Sequence, residues 1–171
     1  MISAPLRDRF GISHKMEFYD DDELSIIISN SADKLNVKIN SSAATELAKN
    51  SRGTPRLANR LLKRIRDFAE IQNDGAITKS FVSEKLKELG IINGLDNTDM
   101  DILNKIAFDF SCGPVGLKTL AASLNEDCGT LEDVHEPYLI KSGYINISSR
   151  GRTLTDKAKI MLGIEIKRAS A

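Results

Sequence analysis

The chain has no surplus of charge: 24 Lys and Arg face 24 Asp and Glu, for a formal net charge of zero. That excludes a uniformly basic nucleic-acid binder. It has only two cysteines, Cys112 and Cys128, without the spacing or companions of a zinc site, so no metal centre is expected. Both thiols are expected to be reduced, as in a cytoplasmic protein. No apolar run approaches the ~18 residues of a membrane span, and the N-terminus has no signal-peptide layout. Internal repeats and low-complexity segments are also missing. So is any GxxxxGK[ST] phosphate loop, which a nucleotide motor needs together with an acid for Mg2+. The chain alone is therefore expected neither to turn over ATP nor to bind it tightly. His14 and His135 have no nucleophile near them in sequence, so no hydrolytic constellation is legible.

What is present is charge that is concentrated rather than abundant. Residues 41–70 hold seven Lys and Arg against three acids, and residues 138–171 hold seven against two. Residues 17–23 hold five acids and no base. Such local basic surface suits contact with phosphates. The most informative stretch is 51–70, SRGTPRLANRLLKRIRDFAE. Thr54 is placed as an N-cap with Pro55 at the first helical position. Leu57, Leu61, Leu62, Ile65, Phe68 and Ala69 recur at helical spacing as an apolar face. Arg56, Arg60 and Lys63 make a stripe on another face, flanked by Arg64 and Arg66. Arg56 lies in the first turn, where the helix dipole disfavours a cation by about 0.3–1 kcal/mol. A phosphate docked at the same helix start would reverse that penalty; a solvated amphipathic helix is the plainer reading.

Four helices are expected before residue 90. Asp20–Glu23 suits a helix N-terminus, followed by Leu24, Ile27, Ile28, Ser31, Ala32 and Leu35 at helical spacing. Asn40 caps a short second helix with Ala43, Ala44, Leu47 and Ala48. The third runs from Pro55 to Ile71, and Thr78 caps a fourth through Leu89. The segment GIINGLDNT, 90–98, reads as the boundary. Thr98 then caps a helix with Met100, Leu103, Ile106, Ala107 and Phe110 inside. A short helix spans Leu117 to Leu124, and Thr130 opens a third with Leu131, Val134, Tyr138, Leu139 and Ile140. Pro137 should disturb its hydrogen bonding near Asp133. After Gly143 the period becomes two: Tyr144–Ile147 and Arg152–Thr155 read as strands joined by Ser148–Gly151. Thr155 caps a last helix. Three helices followed by a hairpin is the winged-helix layout.

The helix expected after Thr130 is rich in Glu132, Asp133 and Glu136, which argues against base reading in a major groove. The hairpin tip differs, because Arg150 and Arg152 flank Gly151. Phosphate contact without sequence preference and an ordinary solvated tip are both consistent with that chemistry.

Gly-Thr-Pro-Arg opening a basic amphipathic helix resembles the sensor 2 motif in the lid of AAA+ ATPases. The longer string RGTPRLANRLLKRIRDFAE, with GPVGLKTLAASLNED, EPYLIKSGYI and SRGR, is similar to the RuvB family of Holliday-junction branch-migration motors, from Met1 to about Gly163. Small departures are Ser148-Ser149 where Thr-Pro is common, and His135 where Tyr is common. The resemblance implies a mainly α chain: a remnant of the AAA+ large subdomain (1–19), a four-helix lid (20–90), and a winged-helix DNA-binding domain with a small β-hairpin wing (98–171). It implies that Thr54, Pro55 and Arg56 sense the phosphates of ATP held by the same subunit. APLRDRFG would carry the arginine finger acting on a neighbouring subunit, Arg9 or else Arg7. Arg150 and Arg152 would hold DNA backbone. In the full-length protein the implied cofactor is ATP with Mg2+. The implied partners are double-stranded DNA and Holliday junctions, the junction-binding protein RuvA, and further copies in a homohexamer, with no membrane. Two readings of other classes compete: a stand-alone winged-helix regulator that would recognise a palindromic site, and a protein-interaction module with no DNA contact.

Overall fold

The structure is a computed structural model that describes Arg9 and residues 17–165. Arg7, and most of the expected 1–19 remnant, lie outside the described residues. The chain divides into two units, with the division between Ser83 and Glu84. That is earlier than the Gly- and Asn-rich junction at 90–98, and it falls inside a helix.

The first unit is built from helices α1 (Asp21–Lys34), α2 (Ser41–Lys49), α3 (Pro55–Gln72) and the start of α4 (Lys79–Glu88). The acids ahead of α1 form a capping box: Asp20 accepts the Glu23 N–H at 2.7 Å, and Glu23 accepts the Asp20 N–H at 3.1 Å. Both satisfy donors that a helix start leaves unpaired. Asn40 accepts the Ala43 N–H at 2.8 Å and Thr78 the Phe81 N–H at 3.3 Å, so both cap as their positions suggest. The two-residue strands β1 (Lys38–Ile39) and β2 (Ala76–Ile77) pair in parallel. The core holds Leu24, Ile28, Ala32, Leu47, Leu61, Leu62, Ile65 and Ala69.

After the end of α4, the second unit continues with α5 (Asn97–Asn104), which widens into a π turn over Lys105–Asp109. Its cap is Asp96 rather than Thr98, because Asp96 and Asp99 close a second capping box. Helix α6 (Leu117–Leu124) follows. The third helical stretch starts at α7 (Cys128–Thr130), capped by Asp127 rather than opened by Thr130. It continues as a π turn over Leu131–His135 and then as α8 (Glu136–Lys141). Pro137 lies in the first turn of α8, where its missing N–H costs little. Strands β3 (Ile145–Ser148) and β4 (Gly151–Leu154) form the antiparallel hairpin, with Ile145 opposite Leu154 and Ser148 opposite Gly151. Helix α9 (Asp156–Met161) ends the unit, capped by Thr155. One core joins Leu95, Ile102, Leu103, Ile106, Val115, Leu120, Leu131, Leu139, Tyr144, Ile145, Leu154 and Ala158.

The π turn at 131–135 changes which residues point inward. A wider turn carries about one extra residue, roughly 100° of rotation in an α-helix. Val134, placed inside by its three-residue spacing from Leu131, is exposed, as is Ile140, while His135 and Glu136 are buried.

Candidate functional site

The start of α3 is set by the turn before it. Ser51 is buried and donates its hydroxyl to Leu47 O at 2.6 Å. Arg52 and Gly53 follow with φ of 53° and 73°. Two successive left-handed residues reverse the chain and deliver Thr54 and Pro55 to the helix entrance. Thr54 does not cap with its side chain: its hydroxyl donates back to Ser51 O at 3.2 Å. The first N–H groups of α3 thus receive no side-chain acceptor from the N-cap residue, and no acid lies in the first turn. Arg56 is exposed in that turn, and no described residue pairs with its guanidinium. Arg60, Lys63 and Arg64 are exposed farther along the helix. Arg64 lies over the Phe68 ring at 5.3 Å, and Arg66 is engaged by Asp67 at 2.7 Å. Free N–H groups, the positive end of the dipole and an unpaired guanidinium together fit the phosphates of a nucleotide. Arg9 is exposed in a turn.

The hairpin tip is the second place where a cation stands free. Ser149 and Arg150 form the turn, the Ser148 hydroxyl accepts the Arg150 N–H at 3.2 Å, and the Arg150 side chain is exposed and unpaired among the described residues. Arg152 behaves differently. Its Nε and Nη2 donate to the two oxygens of Glu136 at 2.6 and 2.9 Å. The two side chains are 12% and 4% exposed. The hydrogen bond to Glu136 raises the Arg152 pKa further, against an opposing effect of burial. Of the two tip arginines expected to hold DNA backbone, Arg150 is exposed, while Arg152 is turned toward Glu136 and paired with it. The signal that sequence lacked was Glu136, sixteen residues away and on a different element.

Beside this pair, His135 Nδ1 stands 2.7 Å from Asp99 Oδ1. The second Asp99 oxygen accepts the Asp96 N–H at 3.0 Å. With both carboxylate oxygens accepting, the proton in the imidazole bond belongs on Nδ1. Asp96, Asp99 and His135 also offer donor atoms within 4.8 Å of one another. Those of the two acids are already used by the capping box and the imidazole bond, so the cluster reads as a staple between α5 and the π turn.

Two family models match the chain: the RuvB AAA lid domain over residues 19–92 and the RuvB C-terminal winged helix domain over residues 92–163. A curated relative from Fusobacterium nucleatum, a Holliday junction branch migration complex subunit RuvB, is 52% identical over 159 residues, which is 92% of this chain and 48% of the relative. The protein of that name from Lactobacillus gasseri is 48% identical over 169 residues, covering 98% of this chain and 50% of its own length. Among solved structures, the Thermotoga maritima RuvB Holliday junction branch migration motor superposes with a TM-score of 0.92 at 43% identity, over 96% of this chain and 56% of that one. The chain thus spans about half the length of the curated relatives it matches.

Proposed function

Because the chain belongs to the RuvB family, we propose that it supplies the lid and the DNA-contacting wing of an ATP-driven branch-migration motor acting on Holliday junctions. The observation that carries this is the exposed, unpaired Arg56 in the acid-free first turn of α3, at the position where the resemblance puts sensor 2. Thr54 and Pro55 fix that turn, and Arg56 holds the phosphates of ATP bound with Mg2+ in the full-length protein. The nucleotide supplies a terminal phosphate whose departure changes what Arg56 can hold. Arg9 serves as the finger toward a neighbouring subunit of a homohexamer. Arg150 meets the backbone of double-stranded DNA without reading bases, and the motor works in the cytoplasm with the junction-binding protein RuvA.

The exposed acids Glu132 and Asp133 on the third helical stretch disfavour a sequence-reading regulator. Two experiments test the proposal. In the full-length protein, Arg56→Ala and Arg9→Ala should each lower ATP turnover. Only Arg9→Ala should be rescued by mixing with subunits that supply the finger but bind no ATP. Rescue of both, or of neither, would overturn these roles. For the wing, Arg150→Ala should weaken binding equally on all duplex sequences and reduce the slope of log K against log salt by about 0.9. Loss confined to one sequence would favour the regulator.

A further inference from the structure

The π turn ends on two successive polar residues, His135 and Glu136, in the interior of the second unit. Each meets a different element. His135 is bonded to Asp99 of α5, which fixes the backbone immediately before Glu136. Glu136 grips Arg152 of β4 through both oxygens, the planar two-bond geometry that orients a guanidinium most firmly. The same residue of β4 is held through its main chain: Arg152 N donates to Val115 O at 2.8 Å, and Val115 N donates to Arg152 O at 3.0 Å. Four hydrogen bonds thus converge on the residue two places past the wing's exposed cation. Arg150 sits on the two-residue turn, without a partner of its own among the described residues.

Resting on the reading that the wing meets DNA backbone, we propose that Glu136 is a positioning residue for the wing. By clamping Arg152 it sets the angle of the hairpin, so that Arg150 alone of the tip arginines is presented to phosphate. Arg152 itself makes no phosphate contact. A neutral, buried pair displaces no counterion from DNA, so it adds nothing to the salt dependence of binding. Its contribution is to geometry, and geometry and charge separate cleanly in a salt titration.

The experiment measures binding of the 171-residue chain to a duplex of arbitrary sequence across a range of salt concentrations, by fluorescence anisotropy. The variants are Arg150→Ala, Arg152→Met, Glu136→Gln and the double change Glu136→Leu, Arg152→Met. The last replaces the pair by apolar groups of similar volume, which buried pairs commonly tolerate, whereas removing one partner leaves the other charge buried and uncompensated. Arg150→Ala should lower the salt slope by about 0.9. Glu136→Gln and Arg152→Met should weaken binding roughly 3- to 10-fold, about 0.6–1.4 kcal/mol, with the slope unchanged. The double variant should recover most of that loss, again with the parental slope. A slope lowered by about 0.9 in both Arg152 variants would show that Arg152 neutralises a phosphate and would overturn the proposal. Tighter binding with a steeper slope in Glu136→Gln would do the same, since it would mean that Glu136 withholds Arg152 from DNA. If Arg150→Ala changes neither slope nor affinity, the premise fails, and with it the positioning role. That failure shows in a variant that leaves the Glu136–Arg152 pair intact.

Discussion

The hairpin should be most sensitive to a single added methyl group at Gly151. This residue has φ of +127°, and a Cβ built on it would lie 2.3 Å from Val115 O and 2.6 Å from Val115 C. Both atoms are backbone, so no side chain can swing aside. Gly151→Ala therefore incurs strain of about 1–3 kcal/mol for a conformation that L-residues avoid. It must also push apart the Val115–Arg152 pair, whose two hydrogen bonds contribute about 1 kcal/mol each. The sum is about 3–5 kcal/mol, a large share of the 5–15 kcal/mol that holds a typical domain together. Gly143 provides the control: its φ is +70°, but nothing lies within 4 Å of an added Cβ. Gly143→Ala should cost only the left-handed penalty, about 1–2 kcal/mol. Urea unfolding followed by circular dichroism compares the two, with hydrogen exchange at the Arg152 amide as a local probe. Equal destabilisation by the two changes would show that the approach of Val115 to Gly151 constrains nothing.

Removing Asp99 should cost more than an ordinary cap. Asp99→Ala deletes half of the Asp96 capping box and removes the 2.7 Å bond to the buried His135, a loss of about 2–4 kcal/mol in urea unfolding; a loss below about 1 kcal/mol would show that this bond adds nothing to the cap. The Tyr144 hydroxyl is raised above its ordinary pKa of 10.0, first by burial and then by Tyr138. The folded state therefore holds that proton more tightly than the unfolded chain. The stability involved is fully present below about pH 10 and is lost as pH rises through the higher folded value. Tyr144→Phe should flatten that alkaline loss, and an unchanged alkaline limb would assign it to other groups.

Much of the first unit was legible because its signals are local. Asn40 and Thr78 each stand ahead of an apolar repeat and each caps a helix, as Thr155 does in the second unit. Leu61, Leu62, Ile65 and Ala69 lie on the inward stripe that their spacing marks. Where two caps competed, composition misled. Thr98 and Thr130 look like caps, yet Asp96 and Asp127 lie ahead of them, and their carboxylates accept the early N–H groups instead. The β1–β2 pair escaped notice for a different reason. Two residues have no period, and their partners lie 38 positions away, beyond any pattern window.

The site residues were legible in kind but not in their partners. Arg56 and Arg150 stand free because nothing in their own turns opposes them, and a turn's composition can be read directly. The fate of Arg152 depends on Glu136, and Glu136 points inward only because the third helical stretch passes through a π turn. A 3.6-residue reading from Leu131 puts Val134 inside and leaves Glu136 among the surface acids. Once the turn widens, Val134 faces out, and an acid that counted against base reading pairs with a cation of the wing. The local charge that sequence assigns to the wing is thus larger than the charge the wing can offer. Arg150 remains as its one unpaired arginine among the described residues, because the other tip arginine is held by an acid sixteen positions earlier in the chain.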